Sequence, residues 1–344
     1  MKPTRFHVFI TVFLLSIIPL PLSASGKNEV PDEKVLNVYC YDSFSSEWGA
    51  GPAIAESFYN ETGIRVLYNA PGDGVTVLNQ IILDNNKSYG DVVVGLDSSL
   101  LNRTLEADIL EVYDSPMLEN VSQELVFDKT LHLIPYDYGH FAICYDSDLM
   151  PDPPGSLEDL CSEKYTDSLI LMDPRTSTPG LGFLLWTVSV YGEKWPEYWK
   201  RLKPSILTIT EGWSQGYTLF TAGEAPMVLS YGSSPVYHAE YEGKDNIRAA
   251  AFSDGHILQI EGMGILKNTE NRKEAELFID FMLNEQSQKT LAMSNIMFPV
   301  NNSVELPESF EMALRPEKVF GIPELLSSGD AHELTDLWTE VFSH

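Results

Sequence analysis

The chain has 344 residues, 44% hydrophobic and 21% charged, a balance typical of soluble globular proteins. Its formal net charge of −28 opposes binding to nucleic acid or an anionic membrane surface and mildly attracts cations. The three cysteines, Cys40, Cys144 and Cys161, permit at most one internal disulfide, and without a CxxC spacing they give no support to zinc or thioredoxin-type chemistry.

The N-terminus reads as a cleaved secretory signal over residues 1–24. Lys2 and Arg5 precede an apolar run from Phe9 to Leu22, and small residues, Ser23-Ala24-Ser25-Gly26, follow it. About 14 apolar residues broken by Pro19 and Pro21 are too few to span ~30 Å of hydrocarbon. No cysteine near the cleavage point suggests a lipid anchor. The remaining chain of about 320 residues exceeds one ordinary core and points to two lobes.

The first strand is expected at Val35–Tyr41. A loop follows at Asp42–Gly51, then a helix with Ile54 and Phe58 on its apolar face, ended by Gly63. Ile64–Tyr68 reads as a strand. The turn Ala70-Pro71-Gly72-Asp73-Gly74 leads to a helix burying Leu78, Ile81 and Ile82. Asp91–Leu96 is apolar nearly throughout, as a strand covered on both faces should be, and Ser98–Glu106 continues as helix. The pattern then repeats, with strands at Leu169–Met172, Ile206–Thr210 and Met227–Ser230. Their helices begin after Asp173–Gly180, after Glu211–Gln215 and after Tyr231–Pro235.

Between the two copies, His132–Asp146 reads as two strand-like pieces around Tyr136-Asp137-Tyr138-Gly139, a first crossing between lobes. A second crossing is expected near Ser253–Gln259. A helix is expected at Glu274–Gln288. A last helix, capped by Asp330 with Glu333 three residues on, would carry the stripe Leu334, Leu337, Trp338, Val341 and Phe342. The fold class is therefore α/β with two lobes, each a mostly parallel sheet flanked by helices, joined by two crossings. Lobe 1 comprises 35–135 and 257–344, and lobe 2 comprises 136–256. Cys40 and Cys144 fall in strands, as core residues or as a disulfide in an oxidising compartment.

In open α/β sheets ligands bind beyond the carboxyl ends of the strands. In the first lobe that rule selects Tyr41 and Asp42, then Asp73 and Gly74, then Asp97. In the second it selects Ser177 and Thr178, then Trp213, then Tyr231, Gly232 and Ser234, with Tyr237 one turn on. Aromatics, small hydroxyls and carboxylates with Arg175 as the one cation suit a flat ligand bearing a positive charge. Taken singly, each has an ordinary reading as a half-buried aromatic, a turn or a helix cap; their convergence at strand ends is what singles them out.

HExxH, Walker A and GxGxxG patterns are absent. Gly212-Trp213-Ser214-Gln215-Gly216 fits G-x-S-x-G between a strand and a helix, with Asp245 or Asp254 and His256 in a workable order. A secreted serine hydrolase using Ser214 is thus the reading from another class. The seven histidines are scattered. Tyr231 and Tyr237 with carboxylates are the candidates for ferric iron or another small cation, although no Tyr-Tyr pair occurs.

Several strings taken together resemble the periplasmic thiamine-binding proteins, the substrate-binding subunits of bacterial thiamine ABC transporters. They are Val38–Phe44, Trp48–Pro52, Asp73–Val75, Asp91–Asp97, Pro135–Gly139, Asp173–Gly182, Gly212–Ser214, Leu229–Tyr231 and Ser234–His238, in order along the whole mature chain. The resemblance implies a type II-like periplasmic-binding-protein fold and a non-enzymatic role. Thiamine, or its mono- or diphosphate, would be captured between the lobes and delivered to permease and ATPase subunits. The ligand itself would be the only small molecule, with no cofactor and no metal, and the protein a periplasmic monomer. Tyr41, Tyr231 and Tyr237 would flank the ligand rings, and Asp73 and Gly74 would meet the aminopyrimidine. Ser177 and Thr178 would lie near the hydroxyethyl or phosphate end, with Trp213, Gly232 and Ser234 lining the second lobe. The sequence departs from the family pattern at Ile296, where the family carries tryptophan, and at Gly232, where threonine is usual.

Overall fold

A computed structural model of the chain describes residues 34–84, 90–321 and 330–343. The signal segment expected at 1–24 lies outside them.

In the first lobe, β1 (Val35–Tyr39), β2 (Arg65–Asn69) and β3 (Val92–Asp97) form a parallel ladder in the order β2-β1-β3. Every residue of β3 is buried, the result expected of an apolar strand covered on both faces. The short helix α1 (Asp42–Ser45) and then α2 (Ala50–Thr62) follow β1. Gly63 ends α2 in the left-handed region (φ 73°), donating its N–H to Tyr59 O. Next come α3 (Gly74–Leu83) and α4 (Leu101–Glu106), and the two-residue strand β4 (Leu110–Glu111). Leu36, Val38, Phe44, Ile54, Phe58, Val92 and Val94 fill the core on one face of this sheet.

The first crossing is β5 (Ile134–Asp146), one strand of 13 residues rather than two pieces. Tyr136-Asp137-Tyr138-Gly139 carries turn-forming residue types, yet Asp137, Tyr138 and Gly139 pair in register with β10 and the ladder shifts only at Tyr136. Gly139 lies under the flexible tip of Met297, whose Cε would stand 2.8 Å from a Cβ at that position. The second lobe holds β6 (Leu169–Met172), β7 (Ile206–Thr210), β8 (Met227–Tyr231) and the short β9 (Ile247–Ala249). Helices α5 (Thr178–Tyr191), α6 (Trp195–Leu202), α7 (Trp213–Thr221) and the single turn α8 (Pro235–Tyr237) lie between these strands. β6 pairs parallel with both β7 and β8, and β8 runs antiparallel to the second half of β5.

The chain returns through β10 (His256–Leu266), antiparallel to β3 and to the first half of β5. The strand path is β2-β1-β3-β10-β5-β8-β6-β7, so β10 and β5 join the two lobe sheets. The second crossing thus overlaps the segment expected for it. Beyond it, the single helix expected at Glu274–Gln288 is two, α9 (Arg272–Leu283) and α10 (Glu285–Asn295). Asn284 separates them: its backbone is extended (ψ 157°) and its side-chain oxygen accepts from Ser287 N at 2.7 Å. This is N-capping that interrupts an otherwise continuous apolar period. The short strands β11 (Phe298–Pro299) and β12 (Val319–Phe320) pair with β5 and β10.

The last helix, α11 (Asp330–Ser343), has Asp330 as its first described residue, and the position before it lies outside the described residues. It packs on the second lobe, with Trp338 in that lobe's core, whereas the sequence places 257–344 in lobe 1. The Trp338 indole meets Trp199 of α6 edge-on at 5.6 Å, with Phe342 stacked beside it at 5.2 Å. Leu337 of the expected stripe is 40% exposed. An amphipathic pattern says that a face is covered, not which surface covers it.

All three cysteines are free. Cys40 lies in the first lobe's core and Cys144 in the second's, so the disulfide alternative gives way to the core reading.

Candidate functional site

The carboxyl ends of both sheets converge on a cavity of about 580 Å³. Nine of the expected residues line it: Tyr41, Asp42, Asp73, Thr178, Trp213, Tyr231, Ser234, Tyr237 and Ile296.

On the first lobe, Tyr41 sits just past β1 with its ring lying over Gly95. That glycine has φ 94°, and a Cβ on it would fall 2.2 Å from the ring. The Tyr41 phenol donates to Glu261 Oε2 at 3.0 Å and accepts from Asn295 Nδ2 at 3.0 Å. Asp73 occupies the N-cap position of α3 but makes no cap bond. Its carboxylate instead reaches the second lobe, where Oδ2 accepts from Ser177 Oγ at 2.6 Å and from Trp213 N at 3.0 Å. Burial pushes Asp73 up to about 6, with those two bonds opposing the rise and Asp42 adding to it. Asp42 bridges the lobes as well, accepting from Ser214 Oγ at 2.9 Å, and Thr76 Oγ1 donates to Thr176 O at 3.0 Å.

On the second lobe, the aromatic wall starts with Trp213 at the first turn of α7. Its indole stacks on Tyr217 at 4.8 Å and donates Nε1–H to Ser230 Oγ at 2.9 Å. Ser230 Oγ in turn bonds Ser234 Oγ at 2.7 Å, so buried hydroxyls fix the tryptophan's orientation. Tyr231 packs on Phe141 at 5.3 Å, Tyr237 stands at the rim with 38% exposure, and Trp48 from the first lobe approaches Trp213 at 6.2 Å. Ile296 ends α10 in the left-handed region (φ 56°), an unusual conformation for a β-branched residue.

Three expected residues do not line the cavity. Ser177 is fully buried behind the wall, accepting from Gly180 N and donating to Asp73. Gly74 lies where the lobes approach closely: a Cβ would meet Gly95 O at 2.6 Å and Thr178 Cγ2 at 2.9 Å. Gly232 is held by His140 O and Leu314 N, and a Cβ there would face Leu314. Asp97 also turns away, bound by Ser99 and Gln259 Nε2.

The sequence reading missed Trp48, Tyr217, Thr218, Thr221, Glu242, Glu261, Asn295 and Met297, all of which contribute to the lining. Helical spacing from Trp213 and Ser214 leads to Tyr217, Thr221 and Thr218 and could have found them. Nothing local marks Glu261.

The serine-hydrolase arrangement is not assembled. Ser214 bonds Asp42, and both nitrogens of buried His256 are engaged, Nε2 by Phe252 N and Nδ1 by Phe141 O. Among the described residues no group of three or more His, Cys, Asp or Glu is placed to hold a metal ion. Among them, too, no helix is long and apolar enough to cross a membrane.

Residues 53–316 match the family described as bacterial extracellular solute-binding protein. The chain is 40% identical over 321 residues to the thiamine-binding periplasmic protein of Brucella abortus biovar 1 (strain 9-941), covering 93% of each chain. It is 38% identical over 297 residues to the protein of that name from Escherichia coli (strain K12), covering 86% of this chain and 90% of the relative. A solved periplasmic thiamin binding protein superposes with a TM-score of 0.86 at 36% identity, over 90% of this chain and 96% of that one. Iron-bound HitA from Pseudomonas aeruginosa shares the fold, with a TM-score of 0.74 at 23% identity over 90% of this chain and 99% of that one. The chain therefore belongs to the bacterial extracellular solute-binding proteins, in the group that includes the thiamine-binding periplasmic proteins.

Proposed function

We propose that this protein captures thiamine in the interlobe cavity and delivers it to the permease and ATPase subunits of an ABC importer, working in the periplasm as a monomer and leaving the vitamin chemically unchanged. The observation that carries this is the division of the cavity wall. The aromatic rings of Trp213, Tyr217 and Tyr231, the first two stacked and the third tilted against Trp213, face the carboxylates Asp42, Asp73 and Glu261 across about 580 Å³. A flat molecule with a ring cation and an exocyclic amino group suits both sides. The rings attract the cation, at ~0.5–2 kcal/mol per contact, and the carboxylates accept from the amino group. The names carried by the relatives point the same way. Ser177 Oγ is committed to Asp73, so Thr178 and the exposed hydroxyls of α7 are left to meet the hydroxyethyl or phosphate end.

Release follows from the same geometry. The lobes are joined by β5 and β10 and latched by the Asp73 and Asp42 bonds, so opening is a hinge motion that breaks those bonds. Calorimetric titration of the mature protein with thiamine, thiamine monophosphate and thiamine diphosphate tests the reading. Saturable binding at micromolar or tighter supports it and ranks the three. Absence of heat and of thermal stabilisation with all three overturns it and moves attention to another solute.

A further inference from the structure

Where β5 and β10 cross between the lobes, Asp137 and Glu261 stand directly opposite each other in the antiparallel ladder, so their side chains leave the same face. Both are buried, at 0% and 6% exposure. Glu261 lines the cavity, and its Oε2 accepts from the phenols of Tyr41 and Tyr136. Asp137 Oδ2 accepts from Asn295 Nδ2 at 3.2 Å, while Oδ1 has no hydrogen-bond donor. The register sets the two carboxyl groups side by side, with Asp137 Oδ1 left without a donor of its own.

The groups facing the pair are acids and phenols. The loop after β1 brings Tyr41, the turn before α3 brings Asp73, and the end of β3 brings Asp97. β5 itself supplies Tyr136 and the end of β8 supplies Tyr231, while α10 contributes the neutral Asn295. Two carboxylates this close in a buried site cannot both ionise unless a positive charge joins them. Burial and then repulsion from Glu261 accordingly hold Asp137 well above the ordinary range, while burial, with Asp97 and Asp73 nearby, pushes Glu261 up to about 7 against the bonds from Tyr136 and Tyr41.

We propose that the Asp137–Glu261 pair is the counter-charge for the ligand's ring cation, holding a shared proton while the cavity is empty and releasing it to bulk water when a cationic ligand enters. The proposal rests on the thiamine reading above, whose thiazolium supplies a permanent positive charge. One O–H bond of the pair breaks, the proton passes to water, and the second negative charge so formed sits against the ring. Glu261 reaches the cavity. Asp137 stands behind it and acts through it, a positioning residue that stores the proton.

The test is calorimetric titration of the unmodified mature protein with thiamine, repeated in buffers of different ionisation enthalpy and across the pH range below neutrality. The expected result is release of up to one proton per thiamine, with affinity falling by up to about tenfold per pH unit, the limit for one linked proton. A neutral isostere, in which carbon replaces the thiazolium nitrogen, should bind at least about tenfold more weakly, roughly 1.4 kcal/mol, and release no proton. Glu261→Gln and Asp137→Asn should each abolish proton release, and Glu261→Gln should narrow the gap between the two ligands to what the aromatic wall alone supplies. Tight thiamine binding with no proton exchange, or equal affinity of the wild type for thiamine and the isostere, overturns the counter-charge while leaving the thiamine reading intact. Failure to bind thiamine at any pH removes both.

Discussion

The two walls of the cleft are built from different chemistry. The first lobe offers acceptors: Asp42 and Asp73 reach outward, and Glu261 lies on the floor. The second lobe offers neutral donors and aromatic faces: Ser177, the Trp213 N–H, Ser214 and the Trp213–Tyr217 stack. Closing the lobes therefore satisfies the first lobe's buried acids with the second lobe's neutral donors, without placing a fixed cation in the cavity wall. A cleft built this way keeps negative potential for a cationic guest. Had the donors been lysines or arginines, the same hydrogen bonds would have cancelled the field that attracts it.

That division can be broken most severely at Asp73. Asp73→Ala leaves Ser177 Oγ and the Trp213 N–H without their acceptor, at ~1–3 kcal/mol for each unsatisfied group. We expect thiamine affinity to fall by about 100-fold, roughly 2.7 kcal/mol by titration, and the ligand-bound protein to show a larger radius of gyration in small-angle scattering. An unchanged radius and affinity would separate the latch from closure. On the opposite wall, Trp213→Ala or Tyr231→Ala should weaken binding at least tenfold, about 1.4 kcal/mol, and wild-type affinity in both would defeat the proposed site.

Smaller changes sharpen the contrast. Ser214→Ala removes one partly exposed bond to Asp42, so a loss near 1 kcal/mol, about fivefold, is expected. Ile296→Trp places an aromatic ring where the structure has a β-branched residue at φ 56°. Titration should show it tightening thiamine by about 0.5–1 kcal/mol through an added ring–cation contact, and weaker binding would mean that the pocket is shaped around isoleucine.

The smallest effect concerns pH. Asp73 has its carboxyl raised to about 6, so the folded state holds its proton more tightly than the unfolded chain does. Its contribution to stability is present below the ordinary aspartate range and is lost as pH rises through about 6. The melting temperature of ligand-free protein relative to Asp73→Asn should therefore decline from about pH 4 to about pH 7. A difference that stays flat, or grows with pH, contradicts the assignment.

Much of this was legible before the fold. Strands with alternating or continuous apolar character, and helices with single apolar faces, have local signatures, and β6 and β7 lie at the expected bounds. The rule that ligands sit past the carboxyl ends of strands reached eight cavity-lining residues because it depends only on strand direction and order, while Ile296 came from the family resemblance. The rule failed at Ser177 and Gly74, which serve the contact between walls, at Gly232, held by His140 and Leu314, and at Asp97, bound by Ser99 and Gln259. The segment around Asp137 and Gly139 misled for a related reason. Asp and Gly usually mark turns, and here they serve a buried charge and a close approach by Met297.

By itself, the sequence determined the alternating strand–helix order, the two-lobe expectation, the acidic character and the strand-end residues, since periodicity, helix stops and charge are properties of neighbouring residues. Only the tertiary structure decided three other things. These were the docking of α11 on the second lobe, the latch between Asp73 and two donors 104 and 140 residues away, and the pairing of Asp137 with Glu261. Each depends on the register between segments far apart in the chain, and that register is set by how whole sheets pack, for which no local run of residues carries a signature.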